Sequence, residues 1–168
     1  MHPAELSDEQ LMQECEQRML RRGGPGGQHR NKVETAVALT HLPTGITAEA
    51  NERRSQVDNR RNAIFRLRVN LALQHRSVPP INDLTNPSER WCKRANKGRI
   101  RIGATHEDFP SLLAELLDYL TVVEFDLPRA AEHFDVTSSQ LIKLLKEHPP
   151  ALGMVNTFRL EHGLHKLG

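Results

Sequence analysis

Residues 21–32 read RRGGPGGQHRNK, and no other stretch narrows the folding options of this chain as much. It holds four glycines and no apolar side chain larger than its one proline, so it has nothing to bury. Glycine also weakens any helix or strand that contains it. The segment is therefore a loop, and regular structure must be built on either side of it. Gly26 and Gly27 can take positive φ without a Cβ clash and let a ligand approach bare backbone. Gln28 then offers a side-chain amide and a backbone N–H, neither of them a nucleophile or a base near neutral pH. Such a tip suits placing hydrogen-bond donors around a water molecule, and the flanking cations suit an anionic partner. Local physics leaves three uses open: positional and electrostatic catalysis, a phosphate-binding turn, or a flexible linker.

The elements around the loop can be read from caps and periodicity. Ser7 with Gln10 three residues on forms a capping box for a short helix, which runs toward a strand at Arg18-Met19-Leu20. After the loop, AVALTHLPTGITAEA carries Val37, Leu39 and Ile46 around Pro43-Thr44-Gly45, the pattern of two strands joined by a turn. Ser55 caps a longer helix reaching about Gln74. Val57, Ile64, Leu67 and Leu71 mark its apolar stripe, and Arg54, Arg60, Arg61, Arg66 and Arg68 cover much of the rest. These elements predict an α+β fold, a β-hairpin sheet packed on an amphipathic helix in two layers.

Residues 77–102 read as a joint, first proline-rich and then basic, and residues 103–168 as a small acidic helical region. Its helices are expected at about 109–122, 128–134, 138–147 and 151–163, the second and third with helix-turn-helix proportions. Residues 1–76 form the other domain. Residues 1–102 carry a net charge of +7 and residues 103–168 one of −5, so nucleic acid is the expected partner of the front part. No apolar run approaches the roughly 18 residues of a membrane span, and the N-terminus lacks the regions of a signal peptide. Cys15 and Cys92 form no CxxC pattern and read as reduced thiols of a cytoplasmic protein. Nine histidines show no HExxH or paired Cys/His spacing, so neither a metal nor another cofactor is expected.

The segment GGPGGQHRNKVETAVALTHLPTGITAEANERRSQVDNRRNA adds a resemblance that these readings do not supply. Gly24, Gly26-Gly27-Gln28, Asn31-Lys32, Thr40 to Ile46, Arg54-Ser55-Gln56 and Asn59 resemble, in order, the catalytic domain of class I peptide chain release factors. The resemblance covers roughly residues 14–75. It implies ribosome-dependent hydrolysis of the peptidyl-tRNA ester, with the large-subunit rRNA and the peptidyl-tRNA as partners. Gly26 and Gly27 would set the loop conformation. The Gln28 backbone N–H would stabilise developing charge or the leaving ribose oxygen, and its side chain would position water. It further implies RNA contacts from Arg21, Arg22, His29, Arg30, Asn31, Lys32, Arg54, Ser55, Gln56, Arg60 and Arg61, and a glutamine N5-methyltransferase acting on Gln28. Gly23, Arg30, Ala38 and Ala50-Asn51 depart from the family pattern, which puts the subfamily and the rRNA contacts in question.

Only 25 residues precede Gly26, too few for a codon-reading module, so a monomeric, codon-independent release or rescue factor is expected. The acidic C-terminal region does not match the basic tail of stand-alone rescue hydrolases. Two segments remain to detect the stalled state. Lys93, Arg94, Lys97, Arg99 and Arg101 surround Trp91, an aromatic able to stack on a base or to anchor the two regions. Arg99 to Ile102 alternates like a short strand. In the helix-turn-helix-like segment, Leu141, Ile142, Leu144 and Leu145 look like core, and Lys143 and Lys146 have acidic neighbours. Packing or a protein partner is the expectation there rather than nucleic acid. Two rival readings stay open for the whole chain: a non-catalytic ribosome-bound adaptor, and a nucleic-acid-binding regulator.

Overall fold

The computed structural model describes residues 1–20, 35–77 and 86–168. Their contacts divide into two compact units, Met1–His75 and Arg76–Gly168.

In the first unit the Ser7 capping box forms as expected: Ser7 Oγ accepts from Gln10 N, and Gln10 Oε1 accepts from Ser7 N. It starts α1 (Asp8–Gln13), which leads into β1 (Cys15–Leu20). β2 (Ala36–His41) and β3 (Thr47–Ala50) complete an antiparallel sheet in the order β1-β2-β3. The register pairs Cys15 with His41 and Leu20 with Ala36, then Val37 with Ala50 and Thr40 with Thr47. Val37, Leu39, Ala48 and Ala50 are buried. Helix α2 (Gln56–Gln74) packs on β2 and β3, with Ser55 Oγ accepting from Asp58 N as its cap. Such a cap contributes about 1 kcal/mol.

Ile64, Leu67 and Leu71 of the expected stripe are buried, but Val57 is 62% exposed. It lies in the first turn of α2, where Asn59 takes the buried position. At the other end of α2, His2 reaches the C-cap: its Nε2 lies 3.1 Å from His75 O, and its Nδ1 accepts from Ala4 N. Arg68 crosses from α2 to donate to Leu6 O and to Asp8, so this arginine ties elements together within the unit.

Part of the stretch expected as a joint is folded within the second unit. Residues 86–102 form α3 (Glu89–Arg94), β4 (Ala95–Asn96) and β5 (Arg99–Ile100). They precede α4 (Phe109–Val122), α5 (Leu127–His133), α6 (Ser138–Lys146) and α7 (Pro149–Glu161), close to the expected helices. The core gathers Trp91, Phe109, Leu112, Leu113, Leu116, Leu117, Leu120, Phe134, Leu141, Leu144 and Leu145, each at most 1% exposed. Burying each of these leucines stabilises the unit by roughly 1.5–3 kcal/mol.

Trp91 overturns the idea of a base-stacking aromatic. Its ring stacks on Phe134 with centroids 3.9 Å apart, and its Nε1 donates to Phe134 O at 3.1 Å. The charges around it in sequence hid this role, because the helical turn of α3 points the one large apolar side chain inward and the cations outward.

Candidate functional site

Residues 21–34 connect β1 to β2, and the pairing of Leu20 with Ala36 holds the two ends of that connection side by side. Gly26, Gly27 and Gln28, with Arg21, Arg22, His29, Arg30, Asn31 and Lys32, lie outside the described residues. What the structure describes is the base from which this segment leaves β1 and returns to β2.

Asn59 is the central group of that base. It is fully buried, with Nδ2 donating to Thr35 O at 2.7 Å and to Arg53 O at 2.8 Å, while Oδ1 accepts from Arg53 N at 2.9 Å. One side chain thereby joins the residue next to the loop, the lead-in to α2 and α2 itself. An amide suits this position because it supplies both donors and an acceptor. Asn59 counts among the residues of the resemblance, but no spacing rule assigns it a job; a buried asparagine with three backbone partners is visible only in three dimensions.

The turn after β2 is built by a second polar cluster. His41 is 1% exposed; its Nδ1 lies 2.8 Å from Thr44 Oγ1 and its Nε2 2.9 Å from Glu14 Oε2. Gly45 N donates to His41 O at 2.8 Å, and Gly45 holds φ +71°, a left-handed conformation that glycine accepts without a Cβ penalty. Leu42 N donates to Glu14 O at 2.8 Å. The Thr40 to Ile46 stretch is thus a staple that fixes the far end of the β2–β3 hairpin to the start of β1.

The start of α2 carries the next group of site residues. The Ser55 hydroxyl is occupied as a cap. Gln56 Nε2 approaches Met19 Sδ at 2.9 Å, and Arg60 Nε donates to Gln17 Oε1 at 3.0 Å, so both reach across to β1. Arg54 and Arg61 are exposed and make no ion pair among the described residues. Arg66 differs: it donates to Glu49 O and clasps Glu52 through both terminal nitrogens, at 3.1 and 2.9 Å. Burial opposes ionisation of Glu52, but backbone N–H bonds from Glu52 and Asn51, together with Arg66 and Asn62, outweigh it and hold its carboxyl below the usual range.

Lys93, Arg94, Lys97, Arg99 and Arg101 belong to the second unit, whereas the residues at the start of α2 belong to the first. Arg94 is committed to Asp108, with Nε and Nη2 at 3.0 and 2.8 Å from Oδ2. Lys93, Lys97, Arg99 and Arg101 are exposed.

Burial, and next the charge of Glu14, push the Cys15 thiol up, away from a reactive thiolate. Among the described residues no cluster of three or more His, Cys, Asp or Glu side chains could hold a metal, and no helix is long and apolar enough to cross a membrane.

The RF-1 domain family model matches residues 8–107, well over half of the chain. This chain belongs to the RF-1 domain family. It is 53% identical over 51 residues to chloroplastic peptide chain release factor PrfB1 of Arabidopsis thaliana, a match covering 30% of this chain and 11% of that protein. Against peptide chain release factor 1 of Symbiobacterium thermophilum it is 54% identical over 52 residues, 31% of this chain and 15% of the relative. A longer match, 39% over 83 residues, joins it to the mitochondrial peptide chain release factor 1-like protein of mouse, covering 49% of this chain and 19% of the other. The chain thus spans under a fifth of the length of these curated relatives.

Proposed function

We propose that this chain releases nascent peptide by ribosome-dependent hydrolysis of the peptidyl-tRNA ester, without reading a codon. The observation that carries the reading is the placement of Gly26-Gly27-Gln28 within the connection of two paired strands, in a chain whose RF-1 domain match extends across that connection.

Water attacks the ester carbonyl carbon, a carbon–oxygen bond forms, and the bond to the ribose 3′-oxygen breaks. The proton lost by water ends on that ribose oxygen. Gln28 donates its backbone N–H to the oxygen on which charge develops, and its side chain orients the attacking water. Gly26 and Gly27 give the backbone the freedom to present that N–H. A donor of this kind is worth roughly 10²–10³ in rate when removed. Arg21, Arg22, His29, Arg30, Asn31 and Lys32 face rRNA, joined by Arg54, Ser55, Gln56, Arg60 and Arg61 of the α2 start. Such phosphate contacts position the factor and carry no sequence information. N5-methylation of Gln28 by a glutamine methyltransferase belongs to the same reading.

The test is peptide release from ribosomes that carry peptidyl-tRNA and an empty or sense-codon decoding site. Rapid release that falls at least about 10²-fold with Gly26→Ala is the expected result, since alanine resists positive φ. Absence of release by the wild type while it remains ribosome-bound would overturn the reading.

A further inference from the structure

The second unit packs together two cation-bearing elements, β5 and α6, that the sequence separates by nearly 40 residues. β4 and β5 form a hairpin in which Lys97, at φ 49°, and Gly98, at φ 73°, make the two-residue turn. Two successive left-handed residues are the geometry of the tightest hairpin turn, and they set Lys97 at its tip. The β5 edge is locked onto the helix-turn-helix segment. Thr137 N donates to Gly98 O at 3.1 Å, Gly98 bridges Val136 in parallel fashion, and Ile100 N donates to Gln140 Oε1 at 3.3 Å. Ile100 is buried, so its neighbours Arg99 and Arg101 project from the opposite face of the strand, where both are exposed.

Helix α6 has the same two-sidedness. Leu141, Leu144 and Leu145 are buried, whereas Ser139, Lys143 and Lys146, spaced four and three residues apart, form its exposed stripe. The leucines are core, as expected, whereas the lysines, expected to be offset by acidic neighbours, stand exposed on the other face. Arg76, Arg90 and Arg94 each have a carboxylate oxygen within 4.0 Å, but Lys97, Arg99, Arg101, Lys143 and Lys146 make no ion pair among the described residues. The nearest acidic positions in sequence do not supply one: Glu147 accepts from Ala104 N, and Asp135 sits exposed in the turn at φ 49°. Like charges three residues apart on a helix are unfavourable without a counter-charge.

From this placement we propose that α6 and the β4–β5 hairpin form one binding surface for the phosphate backbone of duplex nucleic acid. The shape fits that ligand: a nine-residue helix about 13 Å long, introduced by a short turn, with a basic hairpin fixed beside its N-terminal end. An exposed stripe of one serine and two lysines predicts backbone contact with little base selection. The surface uses none of the loop chemistry, so it stands or falls independently of the peptide-release reading.

The test uses the full chain and fluorescein-labelled 20-bp duplexes of RNA and of DNA, with a single strand as reference, titrated by anisotropy at several salt concentrations. The combined variant Lys97→Glu, Arg99→Glu, Lys143→Glu should weaken duplex binding at least tenfold. Each lost phosphate contact should also flatten the slope of log K against log salt by about 0.9 for DNA. The chain has one tryptophan, buried in the core of the same unit against Phe134, so unchanged Trp91 emission verifies that the variant is folded; the Lys97→Gln, Arg99→Gln, Lys143→Gln variant gives the same readout with less repulsion. The stronger of the RNA and DNA responses identifies the source of the phosphates. Duplex affinity and salt slope that are unchanged in both variants would overturn the proposal, as would binding to the single strand alone.

Discussion

The Asn59 amide donates to the carbonyl of Thr35 at 2.7 Å, and this bond anchors the chain just before β2, after the segment that carries Gln28. Because Asn59 also holds both backbone groups of Arg53, it couples the loop base to the lead-in of α2. Asn59→Ala leaves three backbone groups short of a partner at a fully buried position, at a cost of about 1–3 kcal/mol for each that stays unsatisfied. Denaturant unfolding of the variant should show a loss in that range, and peptide release should slow beyond what the unfolded fraction accounts for. An unchanged midpoint would remove Asn59 from this role.

Gly45 isolates the cost of backbone conformation from that of packing. At φ +71° with nothing within 4 Å of an added Cβ, alanine meets no clash there, only the penalty of a left-handed conformation. Gly45→Ala should therefore cost about 1 kcal/mol, and Gly45→Asn less. A larger loss in thermal melts, equal for both variants, would point to packing instead.

Trp91 offers a direct contrast between a core and an RNA-contacting aromatic. Trp91→Ala should destabilise the second unit by about 3–5 kcal/mol. Trp91→Phe should cost less, while leaving the Phe134 carbonyl without its indole donor. Adding RNA to the wild type should leave its fluorescence unquenched. Quenching that saturates with RNA would show that the ring reaches a base.

Two histidines give the second unit a pH dependence with a definite sign. Desolvation holds His133, stacked on Tyr119 at 3.9 Å, and His148 below the ordinary value of 6.5. In the unfolded chain both bind protons as pH drops through 6.5, while the folded unit resists until its lower values are reached. Stability should therefore be full above about 6.5 and decline as pH falls below it. Unfolding midpoints followed by Trp91 emission from pH 7.5 to 5.5 should record this, and the His133→Gln, His148→Gln double variant should flatten the profile. Glu115 acts with the opposite sign: burial outweighs its Ser88 bonds and the Arg90 charge and favours its protonated form above 4.5. Its contribution is therefore lost as pH rises, and a Glu115→Gln background isolates the histidine effect. A wild-type midpoint that rises on acidification would contradict the assignment.

What the sequence determined by itself is local or short-range in cause. Ser7 and Ser55 cap helices through bonds to residues three positions on, and the four C-terminal helices fall close to their expected positions. The turn chemistry of Pro43-Thr44-Gly45 is equally legible, since the positive φ of Gly45 is a property of a single residue. Tertiary structure alone decided the rest. Val57 fits the helical stripe but faces solvent, because Asn59 takes the inward position. Trp91 reads as an aromatic among cations but lies in the core, and the acidic average of residues 103–168 hides the exposed lysines of α6 beside a basic hairpin. The physical reason is common to all three. Burial and charge pairing depend on which residues meet across a long chain separation, and linear neighbours carry no record of those meetings.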